Sequence, residues 1–264
     1  MKAYSLLPDR FEDGRNRALE HGLQAVGFEV IGGYGNPEPG DVLITWTRHH
    51  GGKEQQCERF EARGGRVIVA EEPHLKGIPP GLGARLYSLM WHDHQVGPWY
   101  VGGPERWASF GIELKPWRYG NEVVVREQRG IGSARMRSPD AWHHTVMHLL
   151  RNITQRPVRL RRHPKILARE GAPAVSLAED LRDARCLVTW ASSDGTEALV
   201  LGVPVVACAP DFLAAGTVGR HLLDIESAPS STPERQRAFE RLAWSQWTLE
   251  EIRSGLAFDY LMRI

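Results

Sequence analysis

Short apolar runs that alternate with helix-like stretches are the feature that most constrains the fold of this chain. Residues 41–46 and 66–70 are almost continuously apolar, which is typical of strands buried on both faces of a parallel sheet. Residues 13–26 carry apolar side chains at helical spacing, and 53–63 form a second helix-like stretch between the two runs. This order predicts parallel βαβ units, which make up a Rossmann-like lobe. Its predicted strands are 2–7, 28–31, 41–46, 66–70 and 86–91.

The same alternation resumes near residue 121, after an irregular stretch rich in proline, glycine and tryptophan. It predicts a second Rossmann-like lobe with a parallel sheet. We therefore predict an α/β protein with an N-terminal lobe at 1–118, a C-terminal lobe at 119–232 and terminal helices at 233–264 that pack back on the first lobe. The terminal helices are predicted at 233–243 and 249–264, separated by a break at 245–248, with Thr248 as the N-cap of the second helix. The predicted strands of the second lobe are 122–127, 158–162, 186–190 and 204–207, and its predicted helices are 139–152, 177–182 and 195–201.

The composition is that of an average globular protein. Of the 264 residues, 42% are hydrophobic and 25% are charged, and the formal net charge is +1. This charge excludes a global attraction to nucleic acid or anionic membrane, although a local basic patch remains open. Cys57, Cys186 and Cys208 lie too far apart for a zinc site or a disulfide framework, which favours a reducing compartment. No run approaches the roughly 20 apolar residues that span a bilayer, so we expect a cytoplasmic protein without a membrane span.

The segment 188–199 predicts a strand, a small polar turn and a helix. The turn offers hydroxyls and backbone N–H groups at a helix N-terminus, where a phosphate is favoured. Glu197, in the first turn of the predicted helix, can accept hydrogen bonds from sugar or ribose hydroxyls. Alternatively, Ser193 only caps the helix and Glu197 completes a local charge pattern. The candidate ligand-binding residues of this segment are Ser192, Ser193, Gly195, Thr196 and Glu197.

This segment resembles the donor-lobe signature of glycosyltransferases with two Rossmann-like lobes (GT-B type), particularly those of capsule and surface-polysaccharide assembly. Those enzymes also carry a His-Pro pair after a basic strand, and here His163 and Pro164 follow the basic stretch 159–162. The resemblance implies two lobes facing across a cleft, with a nucleotide sugar bound to the second lobe as a substrate and with no cofactor. It also implies that His163 and the Ser192–Ser193 turn contact the donor phosphates and that Glu197 holds a ribose or sugar hydroxyl. The alternative for His163 is a strand-terminal histidine that precedes a proline.

The loop at 128–133 follows the first strand of the second lobe. Its candidate donor-binding residues are Arg129, Gly130, Gly132 and Ser133. The glycines would let the backbone approach a pyrophosphate, and Arg129 and the nearby Arg135 suit a phosphate through charge-assisted hydrogen bonds. The spacing is not GxGxxG, so an ordinary glycine-containing connection is an equal alternative.

An inverting transfer needs a general base that takes the proton of the acceptor hydroxyl. Candidates follow three strands of the first lobe, in 48–50, 71–74 and 92–94, and ligands bind at the carboxyl ends of parallel strands. From these we predict Glu72 and Asp93 as the catalytic bases. We predict no metal, because the histidines of 92–94 lack a clear third ligand.

Two further stretches, 106–118 and 243–252, are similar to segments of phage and prophage proteins. This similarity makes a hydroxylated base in phage DNA or a surface glycan the candidate acceptor, and the host cytoplasm the expected compartment of a phage-encoded enzyme. One rival function is a nucleotide-sugar epimerase, which would release free nucleotide without an acceptor. Another is a non-catalytic module that binds a glycan or nucleic acid. A DNA-modifying enzyme would show salt-dependent affinity for DNA.

Overall fold

A computed structural model describes nine stretches of the chain, which are 1–8, 14–49, 51–75, 86–93, 100–134, 136–210, 212, 217–227 and 231–264. In chain order these contain β1 (Lys2–Ser5), α1 (Arg15–Ala25), β2 (Glu29–Gly32), β3 (Val42–Trp46), α2 (Lys53–Glu61), β4 (Arg66–Glu71), β5 (Leu86–Trp91), α3 (Glu105–Ser109), β6 (Glu122–Arg126), α4 (Trp142–Ile153), β7 (Val158–Arg161), α5 (Pro164–Arg169), α6 (Leu177–Asp180), β8 (Ala184–Thr189), α7 (Ser193–Val200), β9 (Val205–Ala207), α8 (Thr232–Ala243), β10 (Gln246–Thr248), α9 (Leu249–Arg253) and α10 (Leu256–Arg263). Within these stretches, no helix is long and apolar enough to cross a membrane.

The chain divides into two compact units. The first contains Met1–Gly103 and Arg241–Ile264, and the second contains Pro104–Glu240. The sequence placed the division near 118, whereas the structure assigns 104–118 to the second unit. Backbone hydrogen bonds explain the difference, because Lys115 N donates to Val200 O at 2.9 Å and Arg118 N donates to Gly202 O at 2.9 Å.

The sheet of the first unit has, within the described stretches, the strand order β2-β1-β3-β4-β5-β10. The strands β2, β1, β3 and β4 pair in parallel, as predicted. In contrast, β5 is antiparallel to β4, and β10 is antiparallel to β5. The strand β10 falls where the sequence predicted only a break between two helices. Trp247 of β10 pairs with Tyr87 of β5 and is only 1% exposed. Burial of this large side chain stabilises the added strand.

The C-terminal helices α9 and α10 belong to the first unit, as expected, whereas most of α8 belongs to the second unit, although 233–264 as a whole was expected to pack on the first lobe. Gly22 of α1 lies so close to α9 and α10 that a Cβ on it would approach Ile252 O to 1.9 Å and the ring of Phe258 to 2.7 Å. The start of α9 is fixed by a capping box, in which Thr248 Oγ1 accepts from Glu251 N at 3.2 Å and Thr248 N donates to Glu251 Oε2 at 2.8 Å. The N-cap predicted at Thr248 is therefore confirmed.

The sheet of the second unit has the order β7-β6-β8-β9 in the part of the chain that is described, and all its pairs are parallel. Its core is formed where the inward side chains of β6, β8 and α4 meet, and these side chains are at most 7% exposed. The predicted α/β class with two largely parallel sheets is confirmed. The core residues of these three elements are Val123, Val125, Trp142, Val146, Leu150, Cys186 and Val188.

Candidate functional site

The carboxyl ends of β7, β6 and β8 lie side by side because the three strands are parallel neighbours. Two hydrogen bonds join the ends of these strands and the residues that follow them. Gln128 Nε2 donates to Thr189 Oγ1 at 3.2 Å, and His163 N donates to Glu127 Oε2 at 2.6 Å. The structure therefore brings the three predicted donor-binding segments to one edge of the second sheet, where ligands of open α/β sheets bind.

An ion-pair network that the sequence did not predict lies at this edge. Asp194 Oδ2 is 2.5 Å from Arg126 Nε and 3.2 Å from Arg161 Nε, and Arg161 NH1 also binds Asp180 Oδ2 at 2.6 Å. Arg126 and Arg161 are only 3% and 7% exposed. Burial lowers the pKa of Arg126 below its ordinary value, although the carboxylate of Asp194 opposes that shift. The basic stretch 159–162 was the one sequence feature that pointed to this network. The sequence did not reveal that Asp194 is the ion-pair partner, because Asp194 is distant from that stretch.

His163 is the N-cap of α5, and its Nδ1 accepts a hydrogen bond from Lys165 N at 3.1 Å. Because Nδ1 is an acceptor, the proton of the neutral ring is assigned to Nε2. Burial, followed by the positive charges of Arg126 and Arg129, lowers the pKa of His163 to about 4. Near pH 7 the ring is therefore neutral and has one N–H to donate.

The turn before α7 is closed by Ser192, not by Ser193. Ser192 Oγ accepts from Asp194 N at 3.2 Å, and Ser192 O accepts from Gly195 N at 2.9 Å. Ser193 is the first helical residue, so Glu197 is the fifth and lies in the second turn. The prediction that Glu197 lies in the first turn is wrong, because α7 begins two residues earlier than the predicted helix.

Gly195 and Thr196 face the interior of the second unit. A Cβ at Gly195 would lie 3.2 Å from both Thr189 Cγ2 and Phe212 Cζ, so the glycine lets α7 pack closely on β8. Thr196 is 2% exposed. Packing accounts for both residues in this structure.

The loop at 128–133 needs its glycines for backbone reasons. Gly130 and Gly132 have φ of 63° and 137°, a region that favours glycine. Ser133 is 2% exposed, and its carbonyl accepts backbone hydrogen bonds from residues 136 and 137 at 3.0 and 2.8 Å. Arg129 is exposed and lies close enough to His163 to lower its pKa. Arg135, the other arginine considered for phosphate binding, lies outside the described residues.

The two predicted bases of the first unit lie in different surroundings. Glu72 follows β4 at its carboxyl end and is exposed. Asp93 is 2% exposed and follows β5, whose last residue Trp91 pairs with Ile68 near the start of β4. The predicted location of Asp93 at the carboxyl edge is therefore wrong, because β5 runs antiparallel. The candidate histidines His50 and His94 lie outside the described residues.

A charged cluster holds the backbone next to Asp93. Both oxygens of Glu61 bind Arg48, at 2.9 and 2.5 Å, and Glu61 Oε1 also lies 2.8 Å from His92 Nδ1. Arg48 NH1 donates to the carbonyl of His92, a non-glycine residue with φ of 67°. Burial raises the pKa of Glu61, but the bonds from His92 and Arg48 outweigh it and leave the pKa below its ordinary value. The cluster fixes this turn and was not predicted from the sequence.

A cavity of about 480 Å³ lies elsewhere in the second unit, and no predicted site residue lines it. Its walls come from the segment after α3 and from the start of α8. Arg235, one of the lining residues, is 2% exposed, and its guanidinium carbon lies 3.9 Å from the ring centre of Trp117. The lining residues are Trp107, Gly111, Ile112, Glu113, Leu114, Thr232, Arg235 and Gln236.

The architecture of the chain is similar to that of GT-B-like glycosyltransferases. Thermosulfurimonas dismutans KpsC, a β-Kdo 2,4 transferase, aligns with a TM-score of 0.56 and 14% identity over 89% of each chain. KpsC of the same organism described as a β-Kdo 2,7 transferase aligns with a TM-score of 0.56 and 15% identity, over 98% of this chain and 99% of the other. No protein-family model matches the chain, and no curated protein matches it significantly. At this identity the similarity concerns the fold alone.

Proposed function

We propose that the chain is a glycosyltransferase that binds a nucleotide-sugar donor at the carboxyl edge of the second sheet and transfers the sugar to a hydroxyl acceptor. The observation that carries the proposal is the convergence there of His163, Arg129 and the N-terminus of α7, at the ends of three parallel strands. The fold shared with known sugar transferases supports it. A fold hosts many functions, so the argument rests on the site.

In this proposal the donor phosphates are held by two kinds of group. The neutral ring of His163 donates one directed hydrogen bond from Nε2, and Arg129 supplies positive charge from the exposed loop. In the same proposal the Ser192–Ser193 turn and the glycine loop also contact the donor phosphates, and Glu197 holds a ribose or sugar hydroxyl. Negative charge that grows on the leaving phosphate is stabilised by groups that are already in position.

For acceptor activation we propose Glu72 ahead of Asp93. Glu72 is exposed, so an acceptor hydroxyl has access to its carboxylate, whereas Asp93 is 2% exposed. A general base must come within hydrogen-bond reach of the proton that it removes. If the transfer inverts the anomeric centre, we expect Glu72→Gln to abolish turnover and to leave donor binding unchanged.

The similar structures are described as Kdo transferases, so an acidic sugar of the Kdo type is the first donor sugar to test. A surface glycan is the acceptor that we favour, because the segment 188–199 resembles that of transferases of capsule and surface-polysaccharide assembly, and the descriptions of the similar structures name sugar transfer and not DNA. A hydroxylated base in phage DNA remains the second candidate, and salt-dependent DNA binding would favour it. We place the reaction in the cytoplasm, because all three cysteines are free.

A thermal-shift panel tests the donor site. It contains the mono- and diphosphates of uridine, cytidine, guanosine and thymidine and their sugar conjugates. We expect one nucleotide family to stabilise the wild type, by about 2.7 kcal/mol at a hundredfold excess over Kd. The stabilisation should be lost in His163→Ala and kept in the control His148→Ala, which removes an exposed histidine of α4.

Each outcome of the panel separates the rival functions. If no nucleotide stabilises the folded wild type, the transferase assignment is rejected in favour of a binding module. If a donor binds and free nucleotide appears without any acceptor, a nucleotide-sugar epimerase is favoured.

A further inference from the structure

Asp194 occupies the position at the donor edge that is best suited to an anion. It is the second residue of α7, and its Oδ2 alone meets two buried guanidinium groups, at 2.5 Å from Arg126 and 3.2 Å from Arg161. A negative group at the first turn of a helix is also favoured by the helix dipole. A carboxylate of the protein therefore fills the place where these cations would otherwise attract a phosphate.

The pairing of Arg126 with Asp194 has an unusual geometry. Arg126 Nε lies 2.5 Å from Asp194 Oδ2, yet the direction of its N–H is poor for a hydrogen bond to this oxygen. The side chain of Arg126 is 4% exposed, so water does not readily satisfy this donor. Asp194 therefore stabilises the guanidinium of Arg126 more through its charge than through a hydrogen bond.

The neighbouring arginine is held differently. Arg161 keeps Asp180 Oδ2 at 2.6 Å through NH1, independently of Asp194. Among the described residues, Arg126 otherwise binds the carbonyl of Glu127, at 3.0 Å from NH1, and also feels the charge of the Glu127 carboxylate. Loss of Asp194 would therefore leave Arg126 without an ion pair to any described residue, while Arg161 retained one. The two arginines respond differently to an incoming anion.

We propose that Asp194 is a built-in competitor of the donor phosphate, which exchanges with it for the guanidinium of Arg126. The proposal rests on the proposed donor site and adds a residue that sets its affinity. A phosphate that enters replaces an existing charge contact instead of neutralising a bare arginine. Its binding is weakened accordingly, and nucleotide release after transfer is favoured when the carboxylate returns.

The test compares Asp194→Asn with the matched control Asp180→Asn. Both substitutions remove one carboxylate that contacts Arg161, but only the first removes the partner of Arg126. Inorganic pyrophosphate is the probe, and its affinity is measured by calorimetry at fixed ionic strength. We expect D194N to bind pyrophosphate at least tenfold more tightly than the wild type, and D180N to change the affinity less than threefold. Equal or weaker binding by D194N would overturn the proposal.

Stability provides a second measurement in case D194N folds poorly. Without the carboxylate, the charge of Arg126 is buried and unpaired, so we expect a lower Tm in chloride buffer and recovery in pyrophosphate at equal ionic strength. Recovery larger than that of the wild type supports the proposal, and a variant that pyrophosphate does not rescue contradicts it. If pyrophosphate rescues D194N while no nucleotide stabilises the wild type, the anion position stands and the transferase assignment fails.

Discussion

His163 shows how its neighbours set the chemistry of a single side chain. Its Nδ1 is occupied by the backbone of α5, and burial together with two arginines disfavours the imidazolium. A neutral imidazole can donate to a phosphate oxygen in a fixed direction. It does not supply positive charge, which the arginines of the same edge provide.

We expect an NMR titration of His163 to give a pKa near 4, and Arg129→Ala to raise it, because one of the two arginines that lower it is removed. Arg169→Ala, an exposed change on α5, serves as control. Since the folded pKa lies below the unfolded value of about 6.5, the unfolded chain binds more protons between these values. The free energy of unfolding should therefore fall as the pH drops from about 6.5 to 4. A pKa of 6 or more for His163 would contradict this account.

The sequence pointed to His163 and Ser192 because each belongs to a local pattern of a strand end followed by a helix. It did not point to the roles of Arg126 and Asp194. An ion pair between two segments about 70 positions apart depends on strand register and on side-chain direction, and neither is encoded in local spacing. For the same reason, the sequence did not predict the contact of Glu61 with His92.

Among the elements, α7 joins the donor edge to the core through a glycine. The missing side chain of Gly195 allows the helix to approach β8 at the distance that places Ser192 and Asp194 at the strand ends. Packing and binding are therefore linked through one backbone position.

We expect Gly195→Val to lower the free energy of unfolding by about 1–3 kcal/mol, because a Cβ at this position already lies 3.2 Å from Thr189 and Phe212 and the two further methyl groups overpack against them. Gly32→Val is the control, since a Cβ there meets nothing within 4 Å. Urea unfolding followed by circular dichroism measures both. If Gly195→Val kept wild-type stability but lost nucleotide binding, the glycine would serve the ligand and not the packing.

The existence of the strands β3 and β4 was predictable because nearly continuous apolar runs leave few other structures. The strand at 86–91 was also predicted, but its direction was not. Direction depends on which strand edge the segment meets after a long irregular connection, and apolar periodicity carries no such information. For the same reason β10 was missed, since three residues are too few to show a period.

At the scale of the whole molecule, the two units differ in how the chain builds them. The second unit is one continuous stretch, Pro104–Glu240, whereas the first is assembled from two stretches that are separated by it. The sequence predicted two lobes and a returning C-terminal segment, and it placed the division at 118. The difference arises because 104–118 has no strand-like pattern and is assigned by single backbone hydrogen bonds such as Lys115 N to Val200 O.

We expect the fragment 104–240 to fold on its own, and 1–103 to remain unfolded unless 241–264 is supplied. Without the latter, β5 loses its partner β10 and α1 loses the helices that cover Gly22. Amide dispersion in two-dimensional NMR spectra of each fragment, and of 1–103 mixed with the peptide 241–264, measures this. A cooperative melt of 1–103 alone would show that the returning strand is dispensable.

The place of β10 in the first sheet also bears on the order in which the protein forms on the ribosome. A domain usually begins to fold once its last residue has left the exit tunnel, so N-terminal domains tend to form first. Here the first sheet cannot be completed until its last strand, Gln246–Thr248, has been translated, and this happens after the whole second unit has been made. We therefore expect the second unit to form first during translation, and residues 1–103 to remain unfolded until the segment 241–264 has been made.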